Sequence, residues 1–179
     1  MTAYGKQKYS GLDSPTHPIS SVVNKVFPHI SRFLNKRETV LLDLGCGNGR
    51  FSNLYSKMCS KVVAIDPVDD FSESFLHENI QFFKQDVMSH DPKEQYDIIW
   101  CHGSMYQVAE GHGTKGIQKV ISLLKPDGLL IVLEGAQRKY LRNFVEKSEE
   151  LQHIVSQKLE CSSWDSLFGY LQVIKKVKV

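Results

Sequence analysis

The sequence TVLLDLGCGNGRFSNLY, residues 39–55, runs from β-branched and apolar residues into three glycines at alternate positions. A tight turn by itself needs only one of Gly45, Gly47 and Gly49. In an open α/β sheet the first turn from strand to helix forms the floor of the ligand site, and glycines let the backbone approach a ligand closely. The stretch therefore predicts a strand, a ligand-binding turn and a helix whose first N–H groups face the ligand.

The spacing of the glycines separates this turn from other nucleotide-binding turns. Arg50 stands where a dinucleotide fingerprint, GxGxxG or GxGxxA, needs glycine or alanine, and no Gly-Lys-Ser/Thr follows as in a P-loop. The turn instead has the form DxGxGxG, with Asp43 at the end of the strand. A carboxylate there does not help to bind a pyrophosphate, but it helps to hold a cationic ligand directly or through water.

Short apolar runs, too short for helices and rich in β-branched or aromatic residues, alternate with helical or loop segments along the chain. This alternation predicts an α/β fold, a Rossmann-like, doubly wound and mostly parallel sheet with helices on both faces. The predicted strands are residues 40–44, 62–65, 80–83, 98–100 and 129–133.

The end of the chain breaks the alternation. Residues 154–159 and 170–178 are both predicted as strands, and the turn-like CSSWDS lies between them, so a final antiparallel hairpin is expected. Residues 18–179 are predicted to form one domain, after an N-terminal segment, residues 1–17, that is polar and rich in turn residues. Helices are predicted at residues 18–34, with a bend or interruption near Pro28, and at residues 115–124 and 140–151, whereas residues 50–58 and 71–79 are predicted as helical or loop segments between strands.

Composition limits the classes of protein that this chain can represent. A length of 179 residues with 41% hydrophobic residues is typical of one globular domain, and the net charge of +2 gives no footprint of a dedicated nucleic-acid binder. The four cysteines are widely spaced and form no CxxC pair, so no metal site and no disulfide framework are predicted. Without an apolar signal or membrane-span pattern, a cytoplasmic location and no membrane partner are expected.

Acidic residues follow the next two predicted strands. Asp66 is the last residue but one of KVVAIDP, where a carboxylate can accept both hydroxyls of a ribose. Asp86 is the last residue but one of IQFFKQDV and is placed to accept a hydrogen bond from the exocyclic amine of an adenine, while the Val87 backbone contacts the ring. Together with Asp43, these residues predict a ligand that has a ribose and an adenine but little negative charge.

Five segments in this order resemble the motifs of the class I S-adenosylmethionine-dependent methyltransferases, and in particular the small single-domain type 11/25 members. The resemblance covers roughly residues 38–134, and it implies a seven-stranded sheet with an antiparallel last strand. It also implies S-adenosylmethionine as cofactor and S-adenosylhomocysteine as product. The segments are LLDLGCGNG, VVAIDP, KQDV, YDIIWCHGSMYQV and LLKPDGLLIVLE.

The resemblance implies a role for each matching residue. Gly45, Cys46 and Gly47 would line the methionine portion of the cofactor, and Asp43 would lie near its amino group. Alternatively, Asp43 caps the turn, Asp66 is a turn aspartate before Pro67, and Asp86 has a structural role alone. The full set of predicted cofactor-binding residues is Asp43, Gly45, Cys46, Gly47, Asp66, Pro67, Asp86, Val87, Cys101 and Tyr9.

The acceptor is expected over the carboxyl ends of the fourth and fifth strands. Residues 101–116 contain four glycines and are predicted to form a mobile rim followed by a helix, with His102 as the candidate base or orienting group. Residues 1–17, with Tyr9, form either a lid over the cofactor or a disordered tail. The residues after the fourth and fifth strands do not match the acidic ligands of metal-dependent O-methyltransferases, so no metal is predicted.

The sequence thus predicts an enzyme that transfers a methyl group from S-adenosylmethionine to an N, O or S nucleophile of a small molecule. Methyl transfer from a sulfonium needs alignment and exclusion of water more than a catalytic triad. The alternatives are a protein or RNA methyltransferase, and a catalytically silent cofactor-binding module that scaffolds a protein partner. A dinucleotide-binding protein is a further alternative that the glycine spacing disfavours.

Overall fold

A computed structural model of the chain describes residues 26–28, 30–35, 37–134, 139–158 and 170–177. The predicted N-terminal segment with Tyr9 and the predicted CSSWDS turn lie outside these residues. Of the first predicted helix, residues 26–28 and residue 30 are helical, and the single 3-10 turn Ser31–Phe33 follows them.

One seven-stranded sheet forms the centre of the structure, with the strand order β3-β2-β1-β4-β5-β7-β6. Strands β1 to β5 run parallel to one another, whereas β7 is antiparallel to both β5 and β6. The predicted fold, with its antiparallel last strand and terminal hairpin, is confirmed. The strands are β1 (Val40–Leu44), β2 (Lys61–Asp66), β3 (Ile80–Lys84), β4 (Tyr96–His102), β5 (Leu124–Glu134), β6 (Leu151–Lys158) and β7 (Tyr170–Lys176).

Helices cover both faces of the sheet, as predicted. Helix α1 (Arg50–Ser56) packs Phe51 and Tyr55 onto one face, and helices α2 (Met105–Ser122) and α3 (Lys139–Glu146) pack onto the other. The strands between them are apolar on both sides, because a parallel sheet that is covered on both faces leaves its central strands no contact with solvent.

The segment at residues 71–79, predicted as helix or loop, is mostly loop. Only the 3-10 turn Glu73–Phe75 forms there, and Leu76 is 48% exposed. The ring of Phe71 instead stacks on Phe82 of β3 at a centroid distance of 4.8 Å. The segment therefore has no continuous apolar stripe to bury, and an isolated short helix is unstable without one.

The predicted mobile rim at residues 101–116 is also different in the structure. Helix α2 begins at Met105, where the carbonyl oxygen of Ser104 accepts hydrogen bonds from the N–H groups of Gln107 and Val108. Met105 and Val108 are buried against the sheet, and this burial offsets the low helix propensity of the glycines that follow. The sequence pattern at residues 115–124 revealed only the second half of this helix.

The strand order reverses between β1 and β4, which places the turn after β1 beside the start of α2. The Ser104 hydroxyl donates a hydrogen bond of 2.5 Å to the carbonyl oxygen of Leu44. A Cβ atom at Gly45, where φ is +73°, would overlap the Cβ atom of Ser104. Glycine is required at this position both by the backbone conformation and by the approach of the second segment.

We expect Gly45→Ala to lower the free energy of unfolding by about 2 to 4 kcal/mol, because left-handed strain and overlap with Ser104 add together. Gly47→Ala is the matched control, since Gly47 has a φ of +53° but a Cβ atom there meets no described atom within 4 Å. Gly47→Ala should lower the free energy of unfolding, measured with urea, by only about 1 kcal/mol. Equal losses in the two variants would contradict the close approach of Ser104.

Candidate active site

The carboxyl ends of β1, β2 and β4 meet at the point where the strand order reverses. The glycine turn crosses this edge, and Gly45, Gly47 and Gly49 all have positive φ. The N–H groups of Gly45 and Cys46 donate to the carbonyl oxygen of Ile65 at 2.9 and 3.2 Å. The turn is therefore held against the end of β2, and in open α/β sheets such a crevice is where ligands bind.

Asp66 connects the end of β2 to the glycine turn. One carboxylate oxygen accepts the N–H of Gly47 at 2.9 Å, and the other accepts the N–H of Val68 at 2.8 Å. Burial raises the pKa of Asp66, and the two hydrogen bonds oppose that rise. Each oxygen keeps a second lone pair, so the carboxylate can still accept hydrogen bonds from a ligand.

Asp43 is a buried carboxylate inside the end of β1. It accepts a hydrogen bond of 2.6 Å from the hydroxyl of Ser52, which lies in the first turn of α1. Burial raises the pKa of Asp43 to about 7, the largest of several effects, and the nearby charge of Asp66 adds to the rise. A buried acid in this state favours a cationic neighbour, because a positive charge restores the ionised form.

Asp86 begins the 3-10 turn Val87–Ser89, and its side chain caps that turn by accepting the N–H of Met88 at 2.8 Å. Asp86 lies next to Gln85, whose N–H donates to the carbonyl oxygen of Asp66. Val87 is buried. The structure thus places the two predicted adenosine-binding carboxylates at the ends of adjacent strands.

Apolar side chains that the sequence reasoning missed stand beside both carboxylates. Val68 is 42% exposed and follows Asp66 by two residues, and Met88 is 41% exposed and follows Asp86 by two residues. Large apolar side chains at this exposure, next to hydrogen-bond acceptors, suit the faces of a flat heterocycle. In the sequence, these two residues could have been recognised because each follows an aspartate at a strand end by two positions.

The two cysteines of the predicted site are buried, and the pKa of each thiol is raised by burial. A thiol in this environment is a poor nucleophile. Cys101 faces the core on the side of α2, so its backbone alone is directed along the edge of the sheet. Pro67, in contrast, is exposed immediately after Asp66.

His102 ends β4 and is half-buried. Its ring packs edge-on against Phe51 at a centroid distance of 4.7 Å and stacks on Trp100 at 6.3 Å. Burial lowers the pKa of His102 to about 4. The imidazole is therefore neutral near pH 7, where it can orient a ligand by a hydrogen bond but is a weak proton acceptor.

Glu134, the last residue of β5, is buried, and its carboxylate accepts hydrogen bonds from two segments beside the edge of the sheet. It accepts the N–H of Tyr106 at 2.6 Å and the hydroxyl of Tyr140 at 3.2 Å. This role of Glu134 was not predicted from the sequence. A charged residue directly after the apolar run at residues 129–133 was the available signal.

The described part of the chain lacks two features that would point to other functions. No group of three or more His, Cys, Asp and Glu side chains there is arranged to hold a metal ion. No helix among the described residues is long and apolar enough to cross a membrane.

The strand order and the glycine turn, with an acidic residue after each of β2 and β3, define the class I S-adenosylmethionine-dependent methyltransferase fold. Residues 41–128 match the family model described as a methyltransferase domain. This matched region and the fold agree with the class I S-adenosylmethionine-dependent methyltransferases that the sequence motifs resemble.

Curated relatives match about half of the chain. A ubiquinone biosynthesis O-methyltransferase of Bradyrhizobium sp. (strain ORS 278) is 26% identical over 98 residues, which cover 51% of this chain and 38% of that protein. Phosphoethanolamine N-methyltransferase 1 of Triticum aestivum is 27% identical over 104 residues, which cover 53% of this chain and 21% of that protein. The matched region thus spans well under half the length of either relative.

Solved structures match nearly the whole chain at low identity. The N-methyltransferase NodS from Bradyrhizobium japonicum WM9, in complex with S-adenosylhomocysteine, has a TM-score of 0.71 at 14% identity, covering 98% of this chain and 94% of its own. The 1,6-didemethyltoxoflavin-N1-methyltransferase of Burkholderia thailandensis has a TM-score of 0.65 at 17% identity, covering 90% and 77%. These likenesses establish the fold.

The raised pKa of Asp43 gives a stability prediction with a definite sign. The unfolded state releases the Asp43 proton near pH 4, whereas the folded state releases it only near pH 7. The contribution of Asp43 to the free energy of unfolding therefore falls as the pH rises from about 4 to about 7. Asparagine does not titrate, and its carbonyl oxygen can accept the Ser52 hydrogen bond.

We expect Asp43→Asn to raise the free energy of unfolding at pH 8 by about 2 to 4 kcal/mol and to change it little at pH 4. Urea unfolding of both proteins at the two pH values measures the difference. An equal gain at both values would show that Asp43 is ionised without penalty in the folded chain.

Proposed function

We propose that this protein is an enzyme that transfers the methyl group of S-adenosylmethionine to a nitrogen, oxygen or sulfur nucleophile of a small molecule. The observation that carries the proposal is the hydrogen bond from Gly47 to Asp66. This bond fixes a glycine turn and a ribose acceptor side by side at the point of strand reversal. The match of residues 41–128 to a methyltransferase family model supports the same activity.

Residues along this edge of the sheet can be matched to successive parts of S-adenosylmethionine. Asp66 would accept the ribose hydroxyls, and Asp86 with Val87 would hold the adenine. The backbone of Gly45–Gly47 would line the methionine portion, and Asp43 would attract its amino group. Three carboxylates disfavour a pyrophosphate at the same edge, which argues against a dinucleotide.

The cofactor supplies an activated methyl group, so the chain chiefly has to align the acceptor and exclude water. The side of the edge that would face the methyl acceptor is formed by His102 at the end of β4 and by the first turn of α2. Glu134 holds this turn through a hydrogen bond from the N–H of Tyr106. A neutral His102 would orient an acceptor that arrives with its lone pair available. Only residues 135–150 separate β5 from β6, so a large recognition domain is not inserted there.

Similar proteins support a small acceptor without selecting the nucleophile. Two of them are named for O-methylation in ubiquinone biosynthesis and N-methylation of phosphoethanolamine, and a structural neighbour is named for N1-methylation of 1,6-didemethyltoxoflavin. Another neighbour, with a TM-score of 0.67, is an rRNA methylase from Streptococcus thermophilus. The net charge of +2 does not favour RNA as the acceptor here.

Calorimetry with S-adenosylmethionine, S-adenosylhomocysteine and NAD tests the cofactor half of the proposal. We expect both adenosyl compounds to bind and NAD not to bind. Incubation with labelled S-adenosylmethionine and panels of small phenols, thiols, amines, peptides and RNA then tests the acceptor. Cofactor binding without turnover on any panel would favour a silent scaffold, and NAD binding alone would favour the dinucleotide reading.

We expect Asp66→Ala to weaken S-adenosylhomocysteine binding by roughly 1 to 3 kcal/mol, because the ribose hydroxyls and Gly47 both lose a charged acceptor. Asp69→Ala is the matched control, since it removes the same charge from the same loop but breaks only an exposed contact of 3.5 Å to Lys84. Its effect on affinity should be small. Unchanged affinity in a folded Asp66→Ala protein would refute the ribose assignment.

For His102→Ala we expect kcat/KM for the acceptor to fall about tenfold, with S-adenosylhomocysteine affinity unchanged, since one orienting hydrogen bond is lost. The pH–rate profile between pH 6 and 9 should keep its shape, because the lowered pKa leaves His102 neutral throughout. Retention of the full rate would reduce His102 to a packing residue, and loss of a profile limb near pH 7 would identify it as a base.

A further inference from the structure

Helix α2 is interrupted directly after His112. Gly113 has φ 58° and ψ −145°, which no helix contains, and Gly111 and Gly116 lie on either side of the interruption. Left-handed φ is open to glycine and costly for other residues. A Cβ atom at Gly113 would meet no atom of the described chain within 4 Å, so crowding does not explain this glycine.

Gly116 leaves room for the side chain of His112 on α2. A Cβ atom at Gly116 would come within 2.8 Å of the Cβ atom of His112, so Gly116 provides the space that His112 occupies. The imidazole then reaches across to the loop after β3, where its Nε2 lies 3.2 Å from a carboxylate oxygen of Asp86. Because the partner is a carboxylate, Nε2 carries the proton and donates.

This contact completes the anchoring of Asp86. One oxygen accepts the N–H of Met88 at 2.8 Å, and the other accepts His112. The side chain of Asp86 is 46% exposed and that of His112 is 34% exposed. A carboxylate at this exposure with one anchor would rotate and be solvated, whereas two anchors fix its plane and leave one lone pair on each oxygen.

We propose that His112 is a positioning residue for the nucleobase of the cofactor: it fixes Asp86 so that the carboxylate selects a ring that carries an exocyclic amine. This inference rests on the proposed function, in which Asp86 holds the adenine. As a surface contact alone, the hydrogen bond between His112 and Asp86 would add little to stability, so the cost of the interrupted helix is better explained by ligand recognition.

S-Adenosylhomocysteine and S-inosylhomocysteine test the proposal, because the inosine compound has a carbonyl oxygen in place of the exocyclic amine and a proton on the adjacent ring nitrogen N1. We expect the unaltered protein to bind the adenosine compound at least about tenfold more tightly. In His112→Ala that affinity should fall about three- to tenfold while the affinity for the inosine compound stays constant, so the selectivity narrows.

Two variants serve as comparisons in the same calorimetric titrations. His112→Gln keeps an N–H donor and should restore part of the selectivity. His77→Ala removes an exposed histidine whose one described hydrogen bond, 2.7 Å to Asn53, lies on another part of the surface, and it should change neither affinity.

The outcomes separate this inference from the function on which it rests. Failure of the unaltered protein to bind S-adenosylhomocysteine would overturn both. Binding that is unchanged or tighter in His112→Ala would overturn the inference alone, since it would show that His112 merely competes with the base for Asp86. Equal weakening of both compounds would show a general effect on the loop, and it would also overturn the inference.

Discussion

The hydrogen bond between the Gly47 N–H and the Asp66 carboxylate, at 2.9 Å, is the contact on which the rest of this site depends. It joins the turn after β1 to the end of β2, two segments that the sheet brings side by side at the reversal of strand order. The turn can make this contact only because Gly45 and Gly47 adopt positive φ. The backbone N–H groups of the turn and the acidic strand ends thereby share one edge.

That edge brings several carboxylates together in a partly buried place. Their burial lowers the stability of the folded chain. Asp43 shows the cost most clearly, because burial raises its pKa to about 7 and the charge of Asp66 raises it further. Carboxylates that destabilise the isolated protein become favourable when a cation binds beside them. Residues that lower the stability of the unliganded protein in this way are typical of binding sites.

The sequence predicted the parallel sheet, the glycine turn and the acidic residues at the strand ends because those features depend on local patterns. Short β-branched runs specify strands, and DxGxGxG followed by Asp66 and Asp86 places the acidic residues at strand ends. Local patterns left residues 71–79 open between helix and loop, and they missed the start of α2 in the predicted rim. In the first case Phe71 packs on Phe82, and in the second the glycines of α2 are tolerated because Met105 and Val108 are buried. Both outcomes are set by contacts with other segments.

By itself, the sequence determined the fold class, the glycine turn and the order of acidic residues along the sheet, since each follows from residue type and spacing along one segment. Only the tertiary structure decided that Ser104 packs on Gly45, that Glu134 binds the start of α2, and that His112 reaches Asp86. Each of these contacts joins residues 26 or more positions apart. The geometry of the sheet edge brings such residues together, and local propensity carries no information about it.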